Sequence, residues 1–402
     1  MKKFLLLIFT LCFIATLFFI CGTAGGESGT KSADIVKNEN VINIGVFEPL
    51  TGDDSQSGMQ ETLGIRYANS VCPTVDINGV KYDIKLQEQD NMSDVSSASD
   101  SAQTLLNSKV TAVLGSSGSW LTAEGNKVFS KANIPVLGIS CSSPLLTEDC
   151  KNLFRVCYSD SFQSGVLANY AYQINCRNAA VLTQTGDIYS KNFGKLISGE
   201  FSKIGGKTNI YDIQNNQKNF RSLITSIQEN GNDCVFVSSS SYEAKYFIEQ
   251  ARELGLNCPI IGSENWDSAL LLNECTPAFS NVYLASGFNS SDSGSSEFSV
   301  DFSSWLNSDK TLIEENGGSD YVSSDSALAY DSYMLVVNAM KEAKSTDSKA
   351  VLEALKTITY KGITGNIKFS NNGDSGKSLA YIKTLNVGNK CFDVLQTNSV
   401  GK

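Results

Sequence analysis

TAVLGSSGSWLTAEGNKVFSKANIPVLGISCSSP, residues 111–144, is the stretch whose reading decides the fold. Thr111–Gly115 is a short apolar run, Ser116–Ser119 a Gly/Ser loop, and a helix begins near Trp120. A second apolar run, Ile134–Ile139, leads into Ser140-Cys141-Ser142-Ser143-Pro144. Strand, polar loop, helix and strand again is the alternation of a parallel sheet, whose neighbouring strands need a crossover between them. Ligands of open α/β sheets lie beyond the carboxyl ends of the strands, where both serine-rich loops fall. A helix start there presents unpaired N–H groups and the positive end of its dipole, together favouring an anion by ~0.3–2 kcal/mol. The hydroxyls of Ser119 and Ser142 add donors without adding charge. The same hydroxyls suit helix caps and turns equally well, so the spacing alone leaves both readings standing.

The alternation extends in both directions. Strands are expected at Val41–Phe47, Tyr82–Gln87, Ala179–Thr183, Thr208–Tyr211, Asp233–Val237, Pro259–Gly262 and Asn281–Ala285. Between them lie helical patterns: in Ser241–Leu254, Ala244, Phe247, Ile248 and Ala251 recur at i, i+3, i+4 and i+7, one buried stripe. Ser326–Ala343 has a similar stripe, and Thr346–Thr357 is a short final helix. No Gly-x-Gly-x-x-Gly follows any of these strands, so no dinucleotide fingerprint is present.

Composition narrows the chemistry. The chain has 402 residues, enough for two domains, with 32 Lys+Arg against 42 Asp+Glu and a net charge of −10. No basic cluster invites nucleic acid. Histidine is absent, which removes Ser-His-Asp and Cys-His triads, imidazole metal ligands and the usual proton shuttle. No cofactor is expected.

Met1-Lys2-Lys3 followed by an apolar run from Phe4 to Ile20 reads as an export signal, with an uncleaved membrane anchor as the competing reading. Cys21 and the polar tether 22–40 after it resemble a bacterial lipoprotein, in which that cysteine is acylated; cleavage after Ala24 is the other option. Either way the mature protein is expected outside the cytoplasm, at the cell surface or in the periplasm, touching a membrane only through its N-terminus. Without Cys12 and Cys21 nine cysteines remain, an odd number that leaves at least one thiol free, and no C-x-x-C occurs.

Several strings, in order, resemble the branched-chain amino-acid (leucine/isoleucine/valine) binding protein family, the solute receptors of ABC importers. They are Ile44-Gly45-Val46-Phe47-Glu48-Pro49-Leu50-Thr51-Gly52, Val113-Leu114-Gly115 with Ser119, Ile134-Pro135-Val136, and Pro144 with Thr147. Gln250-Ala251-Arg252 with Gly255-Leu256, Ala329-Tyr330-Asp331, and Gly365-Asn366-Ile367-Lys368-Phe369 with Gly373-Asp374 complete the set. The resemblance implies the type I periplasmic-binding-protein fold: α/β, two Rossmann-like lobes with parallel sheets joined by a three-segment hinge. The lobes it implies are 41–157 with 285–376, and 158–284 with 377–398. It also implies a monomer that hands a small ligand to an ABC permease and performs no catalysis.

Ligand contacts implied by the resemblance fall on residues of both lobes. Ser119 matches the serine that holds an α-carboxylate. Ser142 matches a hydroxyl residue touching carboxylate and ammonium, with backbone groups from Ser140 and Cys141. Tyr189 matches a tyrosine closing over the ligand, and Glu264 the carboxylate that pairs with the α-ammonium. A zwitterion needs uncharged donors at one end and a fixed anion at the other, and charge-assisted bonds are about twice as strong as neutral ones. The family's apolar side-chain pocket falls on Ser57, Ser240 and Asp325, all polar here, which points to a polar amino acid rather than a strictly branched-chain one. Trp120 and Trp266 are expected to bracket the ligand side chain, with core or rim packing as the competing reading. A sensory module of the same fold, or a binder of amides, short peptides or sugars, is the alternative function.

Overall fold

The computed structural model describes residues 40–399 apart from 149 and 240. The export signal, Cys21 and Ser240 therefore lie outside the described residues. A first sheet is built from β1 (Val41–Glu48), β2 (Thr74–Ile77), β3 (Val80–Asp90), β4 (Ala112–Leu114), β5 (Val136–Gly138) and β6 (Leu153–Arg155). Its order is β2-β3-β1-β4-β5-β6, and every pairing is parallel except that of β2 with β3.

The second sheet takes β7 (Asn178–Gln184), β8 (Lys207–Ile213), β9 (Cys234–Val237), β10 (Ile260–Gly262) and β11 (Val282–Ser286). After β12 (Thr359–Gly362) and β13 (Gly365–Lys368), which pair only with each other, β14 (Leu379–Asn386) and β15 (Cys391–Ser399) rejoin it. Its order is β15-β14-β11-β10-β9-β7-β8. The pairings of β7 to β11 are parallel, as expected, and β14 and β15 add an antiparallel edge.

Central strands are apolar throughout because helices cover both faces. The period of two sends Ala112 and Leu114 into one cluster and Val113 into another. The first cluster is closed by Ile65 and Ala68 from the helix Ser55–Val71 and by Leu328, Tyr333 and Val336 from the helix Ser324–Ala343. The second is closed by Ala98 and Leu105 from Val95–Asn107 and by Leu121 and Phe129 from Ser119–Phe129. In the second sheet Ala180 and Leu182 face Phe247, Ile248 and Trp266, while Ala179 and Val181 face Leu167, Phe193 and Ile197. Each fully buried aliphatic or aromatic side chain of this kind contributes about 1.5–3 kcal/mol.

The chain leaves the first sheet after Arg155, returns after Ser286 to the helix Ser324–Ala343 that packs on that sheet, and rejoins the second sheet between Lys368 and Leu379. All nine expected strands are present, with ends shifted by up to three residues. The helix expected at Thr346–Thr357 forms over Ser348–Leu355. The strands β2, β6 and β12 to β15 were not foreseen.

Candidate functional site

The carboxyl ends of strands from both sheets open onto one cavity of about 220 Å³. Gly115 makes the approach of β4 to β1 possible. At φ +107°, a Cβ there would lie 2.2 Å from Glu48 Oε1 and 2.3 Å from the Phe47 carbonyl oxygen. The Ser117 N–H consequently donates to Glu48 Oε2 at 2.7 Å.

Ser119 opens the helix Ser119–Phe129, and its Oγ accepts from the Ser143 N–H at 3.1 Å, tying the two serine-rich loops together. The Ser140–Pro144 loop is held from below by Arg155, which is fully buried at the end of β6. The guanidinium donates to the Ser142 carbonyl at 2.9 Å, to the Ser143 carbonyl, to Thr147 Oγ1 at 2.9 Å, and to Asp374 Oδ1 from Nε at 2.9 Å. One planar cation thus fixes a loop, a turn and a segment returning from the far end of the chain. Sequence reasoning quoted Thr147 and Asp374 but missed Arg155, whose role depends on contacts more than 200 residues apart.

Carboxyl groups crowd this region. Glu264 is 2% exposed, and neither oxygen has a hydrogen-bond partner. Burial first, then Asp325, hold its carboxyl well above the ordinary range. The Tyr158 hydroxyl faces it and works the other way, yet no bond of ordinary geometry joins them. The Glu48 and Glu61 carboxyls face each other, and burial raises both; two acids so placed share one proton rather than ionise together. Asp325 is pushed up to about 7 by burial and then by Asp267, against the Ser57 hydroxyl. Asp160 is pushed up to about 6 by burial, against Ser142 and Arg155.

Nearer the mouth, Asp54 is open to the cleft water but walled in by protein. It is pushed up to about 6 by desolvation and then by Asp187, Asp53 and Glu243. Asp53 Oδ2 accepts from Asn215 Nδ2 at 3.1 Å, a contact between loops of the two sheets.

Of the expected contacts, Ser57, Ser119, Trp120, Ser140, Ser142 and Tyr189 are brought together on the cavity wall. Trp120 is half exposed there, and the Tyr189 hydroxyl is buried without a partner. The Ser140 hydroxyl is already engaged, donating to Glu61. Glu264, Cys141 and Asp325 lie behind the wall rather than on it, although Asn265, next to Glu264, lines it. Burial pushes the Cys141 thiol up to about 12, so it stays protonated and is no nucleophile.

Trp266 is a correction. It is 0% exposed in the apolar cluster of the second sheet, and its indole N–H donates to the Ser239 carbonyl at 3.1 Å. A Cβ on Gly262 would lie 2.1 Å from its ring, so the missing side chain at 262 makes the slot that Trp266 fills. It brackets nothing in the cleft. The nine cysteines of the described residues are free thiols. No helix among the described residues is long and apolar enough to cross a membrane.

Comparison with known proteins agrees with this architecture. Residues 41–389 match the family described as periplasmic binding protein. The chain is 23% identical over 358 residues to the Leu/Ile/Val-binding protein homolog 2 of Brucella abortus (strain 2308), covering 87% of this chain and 90% of that one. A leucine binding protein LivK from Thermotoga maritima superposes with a TM-score of 0.79 at 23% identity, over 89% of this chain and 99% of that one. A branched-chain amino acid transporter substrate binding protein LivJ from Streptococcus pneumoniae, in complex with isoleucine, gives 0.77 at 25% identity, over 90% and 99%. With the whole first sheet, all of the second but its edge strand β15, and the cleft residues inside the matched span, the chain belongs to the periplasmic binding protein family, as a binding protein and not an enzyme.

Proposed function

We propose that the protein is an exported solute receptor that captures an amino acid between its lobes and delivers it to an ABC permease. The lobes are 41–157 with 285–376 and 158–284 with 377–398, acting as one monomer anchored through its N-terminal segment. The observation that carries this reading is the pairing around one cleft of a serine wall with an uncompensated acid. Ser119 and Ser142 offer neutral donors on the wall, while Glu264, behind the wall next to Asn265, has both oxygens buried without a partner. In the bound state Ser119, Ser142 and nearby backbone N–H groups take the α-carboxylate, Glu264 takes the α-ammonium, and Tyr189 and Trp120 cover the ligand. An unpaired buried carboxyl is a standing desolvation penalty that an ammonium removes.

Amino-acid relatives support the class of ligand, and the polar residues Ser57 and Asp325 argue against a purely aliphatic side chain. Calorimetric titration with a panel of amino acids, amides and sugars tests the reading. Micromolar binding of at least one α-amino acid, about −8 kcal/mol, is expected. Binding confined to sugars or amides would sink it.

A further inference from the structure

We infer that the ligand is an amino acid with a cationic side chain, whose second positive charge is met by the acidic wall at the mouth of the cleft. The inference rests on the amino-acid reading above and adds the class of side chain. Asp53, Asp54, Asp187 and Glu243 all line the cavity, and no Lys or Arg does so among the described residues. Behind them Glu48, Glu61, Glu264 and Asp325 lie close enough to act on one another's charge. Arg155, Lys383 and Lys377 are occupied elsewhere. Arg155 is bound to Asp374 and two carbonyls, Lys383 to Asp267 at 3.1 Å, and Lys377 to the Thr364 carbonyl at 3.0 Å. Lys377 still lies within the field of Glu264.

A single α-ammonium neutralises one carboxylate and leaves Asp53, Asp54 and Asp187 without a cation among the cavity-lining residues. A branched aliphatic side chain would make matters worse, since its carbons would strip water from Asp53, Asp54 and Asp187 and return no charge. A second observation marks the same wall as a place where a ligand completes the bonding. Ser239 lines the cavity at 3% exposure, and its hydroxyl has no hydrogen-bond partner. The Tyr189 hydroxyl, on the same wall, is likewise buried and unpartnered. An ammonium or guanidinium at the end of a flexible chain donates to such hydroxyls and to the carboxylates beside them.

The test titrates the full chain with L-lysine, L-arginine, L-norleucine, L-leucine and cadaverine. Norleucine keeps the chain of lysine without its terminal ammonium, and cadaverine keeps both cationic ends without the carboxylate. The tighter of the two basic amino acids should exceed norleucine by about 10- to 100-fold, the worth of one charge-assisted pairing, and should exceed cadaverine. Asp54→Asn, with Asp53→Asn as a second variant should the first fail to fold, should shrink the ratio of basic amino acid to norleucine at least tenfold.

Norleucine or leucine binding as tightly as the basic amino acids overturns the inference and leaves the amino-acid reading intact. So does an unchanged ratio in both variants. Absence of binding by any amino acid overturns the underlying reading, and cadaverine matching lysine overturns the amino-acid class in favour of a diamine.

Discussion

At Glu264 folding and binding pull in opposite directions. The carboxyl is buried beside Asp325, Asp160 and Asp267 with no bond to either oxygen, an arrangement that weakens the unliganded fold. Replacing it by Gln removes the charge and keeps the shape. Glu264→Gln should therefore raise the Tm of the unliganded protein by a few degrees while lowering amino-acid affinity roughly 10- to 100-fold. Scanning calorimetry and titration on the same sample check both halves. A lower Tm would mean that the carboxylate supports the fold and is not held for a ligand. Trp266 shows the limit of reading single residues. Its place two positions after Glu264 suggested the cleft, but Gly262 opens a slot beneath it and the apolar cluster claims the ring. Nothing local in the sequence tells a rim tryptophan from a core one.

At the scale of elements, the cavity-lining loop is only as well placed as the group that anchors it. The Ser140–Pro144 loop hangs on the fork of Arg155, which meets two of its carbonyls while gripping Asp374. Lysine would retain the charge but cannot span these acceptors at once. Arg155→Lys should lower stability by about 1–3 kcal/mol and ligand affinity by roughly tenfold, with thermal melts and titration as the measurements. Loss of stability alone, with affinity unmoved, would show that the loop holds its shape without the fork. Central strands were legible because burial on both faces makes them continuous apolar runs, as in Ala112–Leu114 and Cys234–Val237. The edges were not. β15 mixes Asp393, Gln396 and Asn398 with apolar residues and is largely exposed, so it reads like loop. β2 joins β3 through Asn78-Gly79, both at positive φ, a hairpin signal that was there to be read. The serine loops were legible as strand-to-helix junctions, whereas the acids behind them were not, because Glu48, Glu61, Glu264 and Asp325 meet only through the topology.

For the molecule as a whole, this gathering of raised carboxyls fixes how stability depends on pH. A carboxyl whose folded value lies above its unfolded value holds its proton in the folded state after the unfolded chain has released it. Stability is then lost as pH rises through that interval. The interval runs from about 4 to about 7 for Asp325 and to about 6 for Asp160 and Asp54, with Glu48, Glu61 and Glu264 displaced in the same direction. Asp90 and Asp320, lowered by hydrogen bonds, act oppositely but only in stronger acid. Lys377, lowered to about 8 by burial, returns stability only above that pH. The unliganded protein should accordingly melt highest near pH 4 and lose on the order of 5 °C by pH 7.5. Asp325→Asn should flatten that slope. The amino-acid ligand proposed above would supply the missing cation, so its stabilising effect should grow over the same range as the acids ionise around it. Melting curves with and without ligand at pH 4, 6 and 7.5 measure both trends. A ligand-induced rise in Tm that shrinks with pH would mean that the carboxyls of the cleft are not what the ligand neutralises.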